Sequence, residues 1–361
     1  MKQRSSPRRA YARRKGAIVA AAVIAFASAG VPAVARACDL CAIYSATELR
    51  ESRTGLRLGV AEQFASYNTL QRDGEEVANP AGEWLNSTIT QFVAGYNLTP
   101  RLGVQVNLPL ISRYFRRQEA TGVAHGDESG IGDLSLLANY GAYSDVTENG
   151  VVRLNLIGGF KLPSGNSHRL KEELAEPGHQ HDGAAAFAQI PERFQPAGGF
   201  GIPDGGEHDT EPPSGIHGHD LALGSGSLDG VFGAQLFWSW QRLFLQSAIQ
   251  YIVRTQGSFD YQYADDLMWS GGPGAFVLVG HDYTLGVQAV LSGESKGKDT
   301  LAGMPADDTA ITSFYAGPGL LFTWGTSLGA ELAGDIPLVQ NNSALQIVPD
   351  YRVRGGFSWR F

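Results

Sequence analysis

The stretch Tyr351-Arg352-Val353-Arg354-Gly355-Gly356-Phe357-Ser358-Trp359-Arg360-Phe361 sorts its residues by parity. Tyr351, Val353, Gly355, Phe357, Trp359 and Phe361 fall on one side, and Arg352, Arg354, Gly356, Ser358 and Arg360 on the other. A period of two is that of a β-strand, here with one apolar, aromatic face and one cationic or small face. Such a strand pairs at or near an edge, and a closed barrel removes edges altogether. In a bilayer closure is obligatory, because lipid cannot satisfy an open backbone edge.

The pattern recurs upstream. Leu102, Val104, Val106, Leu108 and Leu110 alternate with Gly103, Gln105, Asn107 and Pro109. Val152 to Leu162, Phe232 to Trp240, Tyr283 to Leu291 and Leu328 to Leu338 behave the same way, each about as long as a tilted membrane strand needs. The best count is twelve strands within a range of ten to fourteen, beginning near residues 55, 85, 101, 131, 150, 228, 242, 272, 283, 310, 327 and 347. Glu62 falls among the lipid-facing positions of the first, so a bulge is expected to shift its register. Connections after even-numbered strands are short and those after odd-numbered strands longer, the parity of periplasmic turns and extracellular loops. The predicted fold is all-β: a transmembrane, antiparallel, up-and-down β-barrel of about twelve strands in the bacterial outer membrane.

Residues 1–37 read as a signal peptide. Lys2, Arg4, Arg8, Arg9, Arg13, Arg14 and Lys15 precede an apolar run from Ala17 to Ala29, and Ala35-Arg36-Ala37 offers a cleavage site. With Arg36, this leader takes eight of the 28 basic residues and no acids. The remainder keeps 20 basic against 36 acidic residues, a formal net charge of −16, which argues against nucleic-acid binding. Residues 38–54 form an expected periplasmic tail, and 55–361 the barrel. Beyond residue 37 no run approaches the length of a membrane helix, and a near-neutral mean hydropathy suits a barrel whose two faces average out.

Gly130-Ile131-Gly132-Asp133-Leu134 leads one predicted strand, and Gly158-Gly159-Phe160-Lys161-Leu162-Pro163-Ser164-Gly165 closes the next. Together with Val106-Asn107-Leu108-Pro109 they resemble the outer-membrane channel family named after the meta pathway of phenol degradation. The terminal strand likewise resembles those of bacterial outer-membrane barrels, which typically end in Phe. The first resemblance covers roughly residues 55–165 and, more loosely, the remaining strands. It implies a transporter barrel whose substrate is usually undetermined, and the long middle loop departs from the family pattern.

With apolar residues facing lipid, the alternate set lines the interior. The expected pore-lining residues are Arg153, Lys161, Arg254, Glu331, Asp335, Arg352 and Arg354, with Arg360 on the same face. Opposite charges on neighbouring strands 11 and 12 read either as a transverse field selecting small polar or anionic solutes, or as filling for a narrow interior. Residues 164–225 form a long extracellular loop rich in Gly, Pro, acids and His, expected to be disordered without a ligand. Its His179, His181, His208, His217 and His219 are candidate ligands for a divalent transition metal (Zn, Cu or Ni), beside a solvated-loop reading. Cys38 and Cys41 read as a disulfide, a thiolate site shared with a partner, or a redox pair.

No catalytic set stands out; His125, Asp127 and Ser129 share one polar loop, where such residues are expected anyway. The leading functional expectation is passive passage of small solutes through the lumen. The alternatives are metal binding or export through the His-rich loop, and a scaffold for a periplasmic partner held by the Cys38–Cys41 tail. Implied partners are outer-membrane lipid, the barrel assembly machinery and a small-molecule solute.

Overall fold

The computed structural model describes residues 54–119, 121–174 and 214–361. Twelve long strands follow the chain: β1 (Gly55–Arg72), β2 (Trp84–Asn97), β3 (Leu102–Glu119), β4 (Ser135–Thr147), β5 (Gly150–Lys161) and β6 (Asp229–Trp240), then β7 (Leu243–Val253), β8 (Asp266–Val279), β9 (Tyr283–Lys296), β10 (Ile311–Trp324), β11 (Leu328–Asn342) and β12 (Leu345–Arg360). Each pairs antiparallel with its sequence neighbours, and β12 closes on β1 from Arg57↔Arg360 to Arg72↔Leu345. The C-terminal strand thus finds its second partner in the first strand, and the ring of twelve strands is closed.

The outside is apolar. Leu58, Val60, Phe92, Val104, Val106, Leu110, Leu136, Leu156, Phe160, Leu320, Leu332 and Phe357 all stand exposed. Near the end carrying the short turns, Tyr96, Tyr140, Trp240, Tyr283, Trp324 and Trp359 form an exposed aromatic belt. A second set, Tyr114, Tyr251, Trp269 and Tyr351, lies roughly eight to twelve residues further along the strands. At about 3.3 Å per residue and a tilt near 40°, this separates the belts by roughly 20–30 Å, the height of a barrel's apolar band.

Several expectations are corrected. The register of β1 against β2 and β12 runs unbroken through Glu62, which pairs with Thr90 and Gly355 and remains exposed on the outer face. The irregularity lies further on, at Ser66–Thr69 against β12. Strand β8 starts at Asp266, ahead of the expected Gly272, because Asp266–Ser270 continue the pairing with β7 and β9. Strand β11 runs on to Asn342, so the β11–β12 connection on the long-loop side is only Ser343-Ala344, with Ala344 at φ 49°.

The region holding His125, Asp127 and Ser129 is strand, not loop. Residues Gly122–Ile131 pair with the upper half of β3, while the lower half of β3 pairs with β4. The three side chains stand on one exposed face of that strand. Successive members lie about 7 Å apart, too far for a hydrogen-bonded relay. Between this strand and β4, Gly132-Asp133-Leu134 leaves the sheet; Gly132 N donates to Pro109 O at 2.9 Å.

The middle loop also departs from expectation. Its described ends, 163–174 and 214–227, are ordered and turn into the barrel. They contain a 3₁₀ helix, His168–Leu174, and a single α-helical turn, Gly218–Leu221. The cause is apolar: Ile216 and Leu221 pack with Ala65, Tyr67, Leu70, Leu85, Phe115 and Ile347 on the inner wall. Leu223 reaches deeper, to Ala61, Ile89 and Ile111. A polar loop carrying a few such residues repays its ordering entropy at those points.

Candidate functional site: a charged lumen and the loop that crosses it

Parity sends the second residue set of every strand inward, and this set includes a recurring run of amides. Gln63, Gln91, Gln105, Gln235, Gln246 and Gln250 are all buried on the inner face, interleaved with Ile157, Val231, Ile252 and Met268. Amides offer donors and acceptors without charge, so the wall can bind water or solute at many heights.

At mid-height the charged residues converge. Asp335 and Arg352 are direct register partners on β11 and β12. Arg352 Nε donates to Asp335 Oδ1 (3.0 Å), and Arg354 Nη2 donates to Asp335 Oδ2 (2.7 Å). Ser292 Oγ donates to Asp335 Oδ2 at 3.0 Å and accepts from Arg352 Nη2 at 2.8 Å. The Arg352 guanidinium lies 3.4 Å from the centroid of the Tyr315 ring, and Tyr315 Oη donates to Glu294 Oε1 at 3.1 Å. Beside this group a cavity of about 50 Å³ is bounded by Gln63, Gln235, Gln250, Glu294, Arg352 and Arg354. The expected opposition of strands 11 and 12 is present, and β9 and β10 complete it with Ser292, Glu294 and Tyr315. These three share inward parity but were not selected from the sequence, because their link to β12 spans strands that are not sequence neighbours.

The other expected lining residues are placed differently. Glu331 sits below Asp335, in register with Gly356. Arg153, with Arg57, Arg101, Asn139 and Asn155, bounds a second cavity of about 150 Å³ at the short-turn mouth. Arg360 is in register with Arg57 at that same end. Lys161 and Arg254 lie deep in a separate ionic cluster beneath the long loops. Lys161 Nζ donates to Asp133 Oδ2 (2.9 Å) and Ser225 Oγ (3.0 Å), and lies 3.0 Å from Asp229 Oδ2. Arg254 bridges Asp229, at 2.9 Å, and Asp266.

Asp133 is the centre of a clasp. Besides Lys161 it accepts from Gly165 N (2.9 Å), Ser225 N (2.9 Å) and Ser225 Oγ (2.8 Å). Ser164 Oγ accepts from Leu134 N (2.7 Å) and donates to Gly132 O (3.1 Å). The two motifs Gly130–Leu134 and Gly158–Gly165 therefore meet in space, and the returning loop is tied to both.

On the opposite wall, Glu83 accepts from Ser214 Oγ (2.6 Å) and Gly215 N (3.0 Å), while Ile347 N donates to Gly215 O at 2.8 Å. The loop is thereby held from β1, β2 and β12 across to β5.

Of the expected metal ligands, His179, His181 and His208 lie outside the described residues, as do Cys38 and Cys41. His217 and His219 are buried together on the inward helical turn, their rings stacked with centroids 5.4 Å apart. His219 Nδ1 lies 3.0 Å from Glu173 Oε1, and its Nε2 lies 3.5 Å from Asp220 Oδ1. Burial disfavours charge on His219, but the Asp220 and Glu173 carboxylates push its pKa up to about 10.

No protein-family model matches the chain, and no curated protein matches it. Among solved structures, the fold is similar to the COG4313 outer membrane channel from Pseudomonas putida F1, with a TM-score of 0.56 at 14% identity. That match covers 89% of this chain and all of the other. The β-domain of the Bordetella autotransporter BrkA matches at a TM-score of 0.40 and 9% identity, covering 86% of this chain and all of that one. The closed twelve-strand barrel with its apolar, belted exterior is a bacterial outer-membrane β-barrel.

Proposed function

We propose that the barrel is a channel for small polar solutes, held closed by the segments 163–174 and 214–227. The observation that carries this reading is the mid-lumen charged cluster of Arg352, Arg354, Asp335 and Glu294 beside a cavity that Gln63, Gln235 and Gln250 also border. A barrel filled only for rigidity would gain more from apolar packing. Burying ion pairs is at best near break-even against hydrophobic side chains of similar size. Charges of both signs on the wall of a polar lumen instead orient dipolar solutes and water. The cluster carries both signs, so the reading favours polar solutes over anions as a class. The arginines at the short-turn mouth, Arg57, Arg101 and Arg153, would attract the negative end of a solute there.

The cavities of about 50 and 150 Å³ hold a few waters each, so conduction requires the loop to move. The loop's attachment suits this, because it is held by ion pairs and a few apolar contacts along a polar wall. Likeness of fold to an outer-membrane channel and the resemblance to the phenol meta-pathway channels support the same reading.

The test is single-channel conductance in planar bilayers. The wild-type barrel is expected to open rarely, and deletion of residues 164–225 to give frequent, larger openings. In the deleted background, Arg352→Ala with Arg354→Ala should shift the reversal potential towards cation preference. A loop-deleted barrel that folds, shown by its β-sheet circular dichroism, yet never conducts would defeat the proposal.

A further inference from the structure

The turn Ile216–Leu221 presents chemistry that conduction does not use. Ile216 and Leu221 are its apolar anchors, so the two histidines and the aspartate between them are held by packing on either side. His217, His219 and Asp220 each offer a ligand atom, and these atoms lie within 4.8 Å of one another. His217 Nε2 is also 3.3 Å from Asp308 Oδ2, on the segment joining β9 and β10. With bonds of about 2.0–2.1 Å, ligand atoms of a tetrahedral zinc site stand roughly 3.3–3.4 Å apart. The pairs His217 Nε2–Asp308 Oδ2 at 3.3 Å and His219 Nε2–Asp220 Oδ1 at 3.5 Å already have that spacing.

A second observation points to the same ligand. His219 turns Nδ1 to the fully buried Glu173 carboxylate at 3.0 Å, which leaves Nε2 facing Asp220. A carboxylate behind one ring nitrogen, with the other directed at the ion, is the arrangement that orients metal-bound histidines. His219 and Asp220 also border a cavity of about 70 Å³ against the wall, room for a water ligand. The Lys296 ammonium that shares this cavity is held by Asp299 at 2.6 Å.

We propose that His217, His219 and Asp220, with Asp308 beside them, form a binding site for a divalent transition cation of the zinc class. Two imidazoles and a carboxylate make a borderline donor set, suited to Zn²⁺, Cu²⁺ or Ni²⁺ and poorly suited to Ca²⁺ or Mg²⁺. The Asp308 carboxylate, 3.3 Å from His217 Nε2, flanks the site from the β9–β10 connection. The site stands independently of the channel reading; only an effect of metal on conductance rests on it.

The test is zinc titration of the purified, EDTA-treated full barrel in detergent by calorimetry, with X-ray absorption at the zinc edge. Expected is one saturable site with two imidazole ligands, kept in a His179→Ala, His181→Ala, His208→Ala variant and lost in His217→Ala with His219→Ala. Glu173→Gln removes only the supporting carboxylate and should weaken binding about 10- to 100-fold. This variant covers the case in which the double histidine variant misfolds. Zinc affinity unchanged in Glu173→Gln, a saturable site lost in the triple variant, or no saturable zinc binding by the full barrel would each overturn the proposal. If zinc binds as expected but leaves conductance unchanged, the site stands and an effect of metal on conduction is refuted.

Discussion

Replacing Asp133 by Ala should unlatch the loop while leaving the barrel closed. The Asp133 carboxylate accepts four hydrogen bonds, from Lys161, Gly165 and twice from Ser225, and all of them join segments distant in sequence. Removing it takes one of the carboxylates from the buried Lys161 ammonium, which keeps Asp229 at 3.0 Å. Breaking a buried pair by removing one partner typically costs about 3–5 kcal/mol. None of that loss falls on the ladder between β10, β11 and β12, so it should appear as local opening of residues 222–227 and 163–167. At about 1.4 kcal/mol per tenfold, the open population rises between about a hundred- and a few thousand-fold. Hydrogen exchange followed by mass spectrometry reads this directly, since amide protection in the latched segments falls by the same factor. Asp133→Asn, which keeps an acceptor oxygen but no charge, should lie between wild type and Ala. Protection of 222–227 within threefold of wild type, or a loss spread equally over β10–β12, would refute the clasp as the element that holds the loop.

Two further outcomes follow from the same geometry. Glu62→Leu should stabilise the barrel by about 1–2 kcal/mol in lipid vesicles, because it removes a charge from the lipid face between the aromatic belts. Equilibrium urea unfolding measures it, and a destabilised variant would mean that Glu62 does not face lipid. Gly226 sits at φ 69°, and a Cβ there would lie 2.1 Å from Ser258 Oγ and 2.7 Å from Ser258 N. Gly226→Ala should thus cost at least about 1–2 kcal/mol and lower the thermal midpoint of the loop's exchange transition, whereas unchanged exchange would argue against this close approach.

Much of this protein is legible one strand at a time. The parity of Tyr351–Phe361 already separates the lipid side from the lumen side, and β12 pairs with β11 so that Asp335 meets Arg352, as neighbouring strands of that parity require. The places where sequence reading failed share a cause. Glu62 breaks the apolar pattern without breaking the register, since one outward carboxylate costs less than shifting every side chain of β1 to the other face. Strand Gly122–Ile131 is polar enough to read as loop, and it is the long partner β3 that holds it extended. Asp133, Asp229 and Asp266 were not singled out, because their partners Lys161, Ser225 and Arg254 come from other strands or from the returning loop.

The sequence by itself determined an all-β wall of about twelve strands, which side of each strand meets lipid, and which charges turn inward, because all three follow from a two-residue period along a single strand. The tertiary structure alone decided what those inward charges do. Whether Lys161 lines a passage or locks a clasp, and whether His217 and His219 trail in solvent or stack inside the barrel, depends on a loop crossing the lumen to Ala61, Ile89 and Ile111. Contacts across a closed barrel join residues far apart in sequence, and no local period encodes them.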